Sequence, residues 1–337
     1  MTLTIMKPGL FTTVQDRGRT GWQRFGVSVG GAVDELSLRL ANILVGNPDD
    51  AAALEMTLSG AEMVTEEEVV AAVCGADMHA RVDGDPLPMW RPVTIPKGCT
   101  ITFGTASEGY HTVVAFRGGI SVPQVLGSRS TAVRNGFGGL EGRTLRAGDR
   151  LEIVSNMPRR RTNPEEKGDI DRYHAGAWFL GAEWRTPGMA KLGNGAAEVR
   201  VMQGCEWERF TGESRDRFLL QPFVMLAESD RMGARFSGPP IHLESRTDML
   251  SEAVTMGTVQ VPPDGRPIVL MADRQTTGGY PRIAQVASVD LPVIAQMRPG
   301  ERARFRLIST QEAEALWIAR ERKLEVLRLL VNLVESD

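Results

Sequence analysis

The densest run of chemically capable side chains is MADRQTTGGYP, at residues 271–281. Asp273 offers a carboxylate for acid, base or orienting work. Arg274 is a planar cation suited to a carboxylate or a carboxyl-like group. Gln275 adds an amide, and Thr276 and Thr277 add hydroxyls that both donate and accept. Gly278 and Gly279 allow a positive φ or a close approach of backbone to ligand. Tyr280 can form a wall or a donor. A tight loop with an internal Asp–Arg pair, its threonines satisfying its own backbone, explains the same residues, and their types leave both readings open.

Three further segments repeat the chemistry. ESDRMG places Ser229, Asp230 and Arg231 at the end of a strand-like run. TTVQDRGRTGWQRFGV holds Gln15, Asp16, Arg17 and Arg19, and LGSRST sets Arg129 between Ser128 and Ser130. Each segment alone reads as a structural turn. Together they surround arginine with hydroxyl and amide groups, which suits a small polar anion or an amide.

Common catalytic signatures are missing. No GxxxxGK[ST] occurs, so no phosphate-binding loop for ATP is expected in this chain. The glycines of GFGGLEG, residues 136–142, have the wrong spacing for a dinucleotide fingerprint. The four histidines are scattered without ligand spacing, so no metal is expected. GVSVG at residues 26–30 fits GxSxG as a string, but the following GAVD delays the helix that a nucleophile elbow requires. No biotinyl-lysine segment of the AMKM type is present.

The bulk properties are those of a soluble globular protein. The 337 residues are 42% hydrophobic and 24% charged, with a net charge of −3, which gives no basic field for nucleic acid. The three cysteines form no CxxC pair, and their odd number argues against a disulfide framework. The N-terminus lacks the pattern of a signal peptide, and no apolar run reaches the ~18 residues of a membrane span. A cytoplasmic location, with no membrane partner, is expected.

The elements that must position these residues are mostly strands. Short β-branched or aromatic runs occur at 3–6, 11–14, 69–73, 100–103 and 112–116. They recur at 198–202, 218–226, 259–261, 268–271 and 282–289. DELSLRLANILVGNP predicts a helix capped by Asp34 and stopped by Gly46 and Pro48. A second helix closes the sequence, with Ser309 and Glu312 at capping-box spacing and Leu324, Leu327, Val331 and Val334 on one face. The expected fold is mainly β with a few helices. A β-rich domain at 1–155 is followed by a charged linker region at 156–195, a second β domain at 196–308 and a helix at 309–337.

Several of these segments carry a resemblance. KPGLFTTVQDRGRTGWQRFGV, GGAVDELSLRLANILVGNPDDAAALEMTLSG, GGISVPQVLGSRST, SDRMGARFSGP and DRQTTGGYPRIAQV resemble the carboxyltransferase subdomain A/B family. That family includes the C subunit of bacterial ATP-dependent 5-oxoprolinase, the KipA antagonist (also called allophanate hydrolase subunit 2) and part of urea carboxylase. The resemblance implies a cyclophilin-like β-barrel at the C-terminal end, and a KipI-like B subunit as partner. In 5-oxoprolinase an A-type subunit joins them, and 5-oxoproline is opened to glutamate at the expense of ATP.

A biotin-dependent carboxyltransferase component acting on urea or a related amide is the alternative, with biotin supplied by a separate carrier. A regulatory KipA-like binder of a KipI-type kinase inhibitor is a third reading. Under the resemblance, Arg231 and Arg274 bind a carboxylate or a carboxyl or phosphoryl group in transit. Asp230 and Asp273 orient them or handle protons at the amide nitrogen. Ser229, Gln275, Thr276, Thr277, Gly278, Gly279, Tyr280, Gln15 and Arg129 line the substrate. Two positions depart from the family pattern: Arg17 stands where leucine is frequent, and Ala234 where tyrosine is frequent.

Overall fold

The computed structural model describes residues 1–154, 173–176, 178–181, 184, 195–245 and 249–336. Most of the charged linker region expected at 156–195 lies outside them. The chain forms two compact units. The first comprises Met1–Gly18, Asp34–Arg185 and Lys323–Asp337, and the second Arg19–Val33 and Thr186–Arg322.

The first unit is built on a seven-stranded and a six-stranded sheet. Strand side chains alternate between faces, and one face of each sheet feeds a single apolar cluster. Leu3, Ile5, Met63, Ile101, Leu151 and Ile153 come from one sheet, and Val14, Leu54, Met56, Val73, Val114 and Phe116 from the other. Strand Val69–Asp77 is buried on both faces. Its Val69, Ala71 and Val73 enter that cluster, while Ala72 and Cys74 turn away from it. The expected helix explains the second buried face: Glu35–Leu44 packs on strands Val69–Asp77 and Glu108–Phe116. Asp34 caps it as expected, its Oδ1 accepting from Ser37 N at 3.0 Å. Gly46 follows with φ +74°, a left-handed conformation that glycine adopts at low cost. Burial raises the Cys74 thiol well above its ordinary range, and the Asp34 charge adds to this.

The second unit contains a closed barrel of seven strands, in the order Ala196–Gln203, Arg282–Val286, Thr258–Gln260, Ile268–Leu270, Gly233–Ser237, Phe223–Met225, Arg302–Leu307 and back to the first. Closure leaves no unpaired edge. The last and first strands of this ring run parallel, and the other pairs are antiparallel. Alternate residues fill the interior, among them Val199, Val201, Ala234, Phe236, Ala303 and Phe305. Phe218 stacks on Phe305 with centroids 4.6 Å apart. The interior is therefore a packed aromatic core, and chemistry has to be sought in the connecting loops.

One element differs from the sequence expectation. The strand expected at 218–226 is a helix, Gly212–Leu220, followed by a short strand, Phe223–Met225. Thr211 caps that helix by accepting from Ser214 N, and the packing of its Phe218 on Phe305 tips the balance against the β character of FLLQPFVML. A short helix, Leu291–Gln296, begins with proline near its first position and has no counterpart among the expected elements. The closing helix runs from Thr310 to Ser336, with Glu312 N donating to Ser309 Oγ at 3.0 Å. Leu324, Leu327 and Val331 are buried as expected, and the side chain of Val334 lies outside those described.

Candidate functional site

Strand register explains why residues distant in sequence meet in the second unit. Strands Gly233–Ser237 and Ile268–Leu270 are antiparallel neighbours, with Gly233 opposite Leu270. The loop entering the first and the loop leaving the second therefore emerge at the same end of the barrel. Two backbone hydrogen bonds extend the ladder outward: Met271 N to Met232 O at 2.9 Å and Asp273 N to Arg231 O at 2.8 Å. Arg231 and Asp273 thus become cross-strand neighbours, 42 residues apart in sequence.

Their side chains meet in a two-pronged ion pair. Arg231 Nε donates to Asp273 Oδ2 at 2.8 Å, and Nη2 to Oδ1 at 3.1 Å. Both side chains are largely buried. Arg231 Nη2 also donates to the carbonyl oxygen of Gly31 at 2.6 Å. Gly30 N donates to Ala272 O at 3.2 Å, so the glycine-rich segment is laced to both loops. Segment 19–33, placed by sequence in the N-terminal domain, packs with the barrel unit through such bonds. The GVSVG loop is preceded by a 3-10 turn, Gln23–Phe25, instead of a strand, so Ser28 lacks the elbow geometry.

Arg274 has a different environment. Its side chain is 9% exposed, yet Nη1 makes one long hydrogen bond, 3.3 Å, to the carbonyl oxygen of Met271. Its Nε is buried without an acceptor among the described residues. Burial pulls this guanidinium below arginine's ordinary range, opposed by the nearby Asp273 charge. That carboxylate is already gripped by Arg231. A guanidinium shut away from water without an anion is costly unless something else supplies one.

The remaining expected residues of these loops divide by role. Asp230 Oδ1 accepts from Met232 N at 2.8 Å and Gly233 N at 3.1 Å, and Ser229 Oγ accepts from Arg235 N at 3.0 Å. These two side chains shape the turn that presents Arg231. Thr277–Gly278 pairs with Glu252–Ala253 as a two-stranded ribbon, and Thr276 O accepts from Val254 N. Gln275, Thr277 and Tyr280 are exposed. Neither Gly278 nor Gly279 has a positive φ. Close approach is what Gly278 provides, because a Cβ there would lie 2.4 Å from Gln260 Nε2.

Three contributors carry no sequence signal. The Gly31 carbonyl reaches Arg231 across 200 residues. Gln260 is a buried amide lying under Gly278, and its Nε2 donates weakly to Tyr280 O at 3.4 Å. Arg282 anchors the ribbon by bonding Glu206 through Nε at 2.8 Å and Glu252 through Nη2 at 2.6 Å.

Gln15 and Arg129 belong to the first unit, where they border Asp16. Asp16 Oδ1 accepts from Gly18 N at 2.8 Å, Ser128 Oγ at 2.7 Å and Ser130 Oγ at 2.6 Å, and Oδ2 accepts from Arg129 N. Gln15 Nε2 donates to Thr13 Oγ1 at 2.9 Å, while its Oε1 is buried without a donor. Of the two departures, Arg17 pairs with Glu35 at the surface, and Ala234 points into the barrel core. Among the described residues, no cluster of three or more His, Cys, Asp or Glu could hold a metal. No described helix is long and apolar enough to cross a membrane.

These loops are carried by a chain with extensive relatives. Residues 25–307 match the carboxyltransferase domain, subdomain A and B. The chain belongs to this carboxyltransferase family. It is 35% identical to the C subunit of 5-oxoprolinase from Haemophilus influenzae, over 95% of this chain and 96% of the relative. It is 38% identical to the C subunit of 5-oxoprolinase from Escherichia coli, over 92% and 93%. The crystal structure of Kluyveromyces lactis urea carboxylase superimposes with a TM-score of 0.85 at 26% identity, covering 97% of this chain and 29% of that one. The match thus spans nearly the whole of the two 5-oxoprolinase relatives but less than a third of that solved chain. The family match includes both arginine-bearing loops and, from residue 25, the segment whose Gly31 carbonyl holds Arg231.

Proposed function

We propose that this chain is the C subunit of an ATP-dependent 5-oxoprolinase, opening 5-oxo-L-proline to L-glutamate with a KipI-like B subunit and an A-type subunit. The observation that carries this reading is end-to-end similarity to two proteins that bear the name of the 5-oxoprolinase C subunit, with almost no unmatched length on either side. The urea-directed alternative has weaker support, since the yeast urea amidolyases match at 29% identity over 17–18% of their own length. The sequence has no phosphate-binding loop, so the reading assigns ATP use to the assembled complex. Biotin enters only if a separate carrier brings it.

The barrel-end loops suit a small acid amide. Opening a lactam builds negative charge on the amide oxygen and needs a proton at the departing nitrogen. Hydroxyl and backbone donors of these loops, held at the end of the barrel, answer the first need, because they are oriented before the reaction begins. Composite assembly answers the second, with the partner proteins contributing groups absent from these loops.

The test is reconstitution. The chain is mixed with its B-type and A-type partners, ATP and 5-oxo-L-proline, and glutamate release is measured. Release is expected only from the three-component mixture with ATP. A complete, assembled mixture that releases no glutamate refutes the reading.

A further inference from the structure

We propose that Arg274 is the receptor for the substrate's carboxylate, and that Arg231 is a positioning residue turned away from the ligand. The inference deepens the 5-oxoprolinase reading and rests on it for the identity of the acid. Sequence alone treats the two arginines alike, as guanidinium groups beside aspartates at loop starts. The structure separates them by how their donors are spent.

Arg231 has its charge neutralised. Nε and Nη2 bond both oxygens of Asp273, and Nη2 also bonds Gly31 O. For this group to bind a ligand carboxylate, Asp273 would have to be released into a largely buried setting. Removing one partner of such a pair leaves the other charge uncompensated, a strongly unfavourable change. A small ligand does not recover that loss by offering an equivalent carboxylate.

Arg274 is in the opposite position. It is buried to a similar degree, no carboxylate lies within ion-pair distance among the described residues, and one donor meets one neutral carbonyl at 3.3 Å. Its Nε is buried and has no acceptor among the described residues. A guanidinium in this state gains most from an incoming anion. Its desolvation has already been incurred on folding, and its planar fork matches a carboxylate in two bonds. The Arg231–Asp273 pair fixes the backbone just before Arg274, because Asp273 N is bonded to Arg231 O and its side chain is clamped. Arg231 therefore acts on the ligand only through the aim of Arg274.

The experiment measures binding to the assembled complex by calorimetry. The probes are 5-oxo-L-proline, 2-pyrrolidinone (the same lactam without its carboxylate) and N-acetylglycine (an acyclic amide acid). The wild-type complex should prefer 5-oxoproline to 2-pyrrolidinone by about 50-fold or more, the range of a charge-assisted pair in a buried site. Arg274→Met should remove that preference while keeping or raising Tm, since it deletes a buried charge that has no ion-pair partner among the described residues. Arg274→Lys should restore only part of it. Arg231→Lys should weaken both lactams by a similar factor and keep the ratio.

An unchanged ratio in Arg274→Met overturns the receptor assignment and leaves the 5-oxoprolinase reading standing. A collapse of the ratio in Arg231→Lys alone overturns it as well, by exchanging the two roles. Preference for N-acetylglycine over 5-oxoproline, lost in Arg274→Met, supports the receptor and overturns the substrate. A wild-type complex with no affinity for any carboxylate overturns both.

Discussion

Asp16 in the first unit and Arg274 in the second are charged side chains buried to nearly the same extent, 7% and 9% exposed, and the chain treats them in opposite ways. Asp16 is saturated by two serine hydroxyls and two backbone N–H groups. Arg274 has an aspartate as its sequence neighbour yet meets one weak acceptor. A carboxylate enclosed by fixed donors is a structural knot, since its hydrogen-bonding capacity is spent on holding two segments 112 residues apart. A guanidinium with unspent donors contributes little to stability and remains available to a ligand. Charge and burial alone do not separate the two cases; the satisfaction of donors and acceptors does.

The contrast is broken most severely at Asp16. Asp16→Ala removes the acceptor of the buried hydroxyls of Ser128 and Ser130 and of the half-buried amides of Gly18 and Arg129. At about 1–3 kcal/mol for each buried group left unsatisfied, a loss of about 4 kcal/mol or more is expected. Urea denaturation monitored by circular dichroism checks this. A loss below about 1 kcal/mol would show that the four bonds are readily replaced by water, and Asp16 would no longer stand as a structural knot.

Arg231→Met comes next. It leaves Asp273 buried without its cation and frees the Gly31 carbonyl, so a loss of about 3 kcal/mol is expected. Arg231→Met with Asp273→Leu should recover much of it, because an apolar pair removes both desolvation penalties. Comparing the midpoints of the single and double variants decides the point. A double variant no more stable than the single would mean that the pair is valuable for more than mutual compensation.

Part of this is legible in the sequence. The Asp34 cap, the faces of the closing helix and the strands of both units follow from local signals: a capping residue, a 3.6-residue period and β-branched runs. The loops carrying Arg231 and Arg274 are marked by composition and by family motifs. The difference between the two arginines is not legible, because it depends on the register that sets Gly233 against Leu270 and on a carbonyl 200 residues away. Gly278 shows the same limit. Sequence suggests either a positive φ or a close approach, and only the position of Gln260 distinguishes them. The helix at Gly212–Leu220 escapes a sequence reading because a short cap signal competes with a long β-prone run, and packing of Phe218 on Phe305 decides the outcome.

The smallest effect sharpens the comparison with an intermediate case, a carboxylate that has its cation. Burial pushes Glu206 upward, but hydrogen bonds and charge from Arg282 outweigh it and hold its carboxyl below the ordinary glutamate range. A group depressed on folding contributes stability above its unfolded pKa, about 4.3 for glutamate, and that contribution is lost as pH falls through the folded value. Glu206→Gln should therefore cost about 1–2 kcal/mol at about pH 7, where a charge-assisted pair becomes a neutral hydrogen bond. The gap between wild type and variant should narrow steadily below about pH 4 as the wild-type carboxylate is protonated. Arg282 would still bond Glu252, which is 59% exposed and contributes little in water. Chemical denaturation of both proteins across a series from about pH 7 down to about pH 3 gives the two curves. Parallel curves would mean that Arg282 does not depress Glu206, and the anchor of the Thr277–Gly278 ribbon would have to be sought in its backbone pairing with Glu252–Ala253 alone.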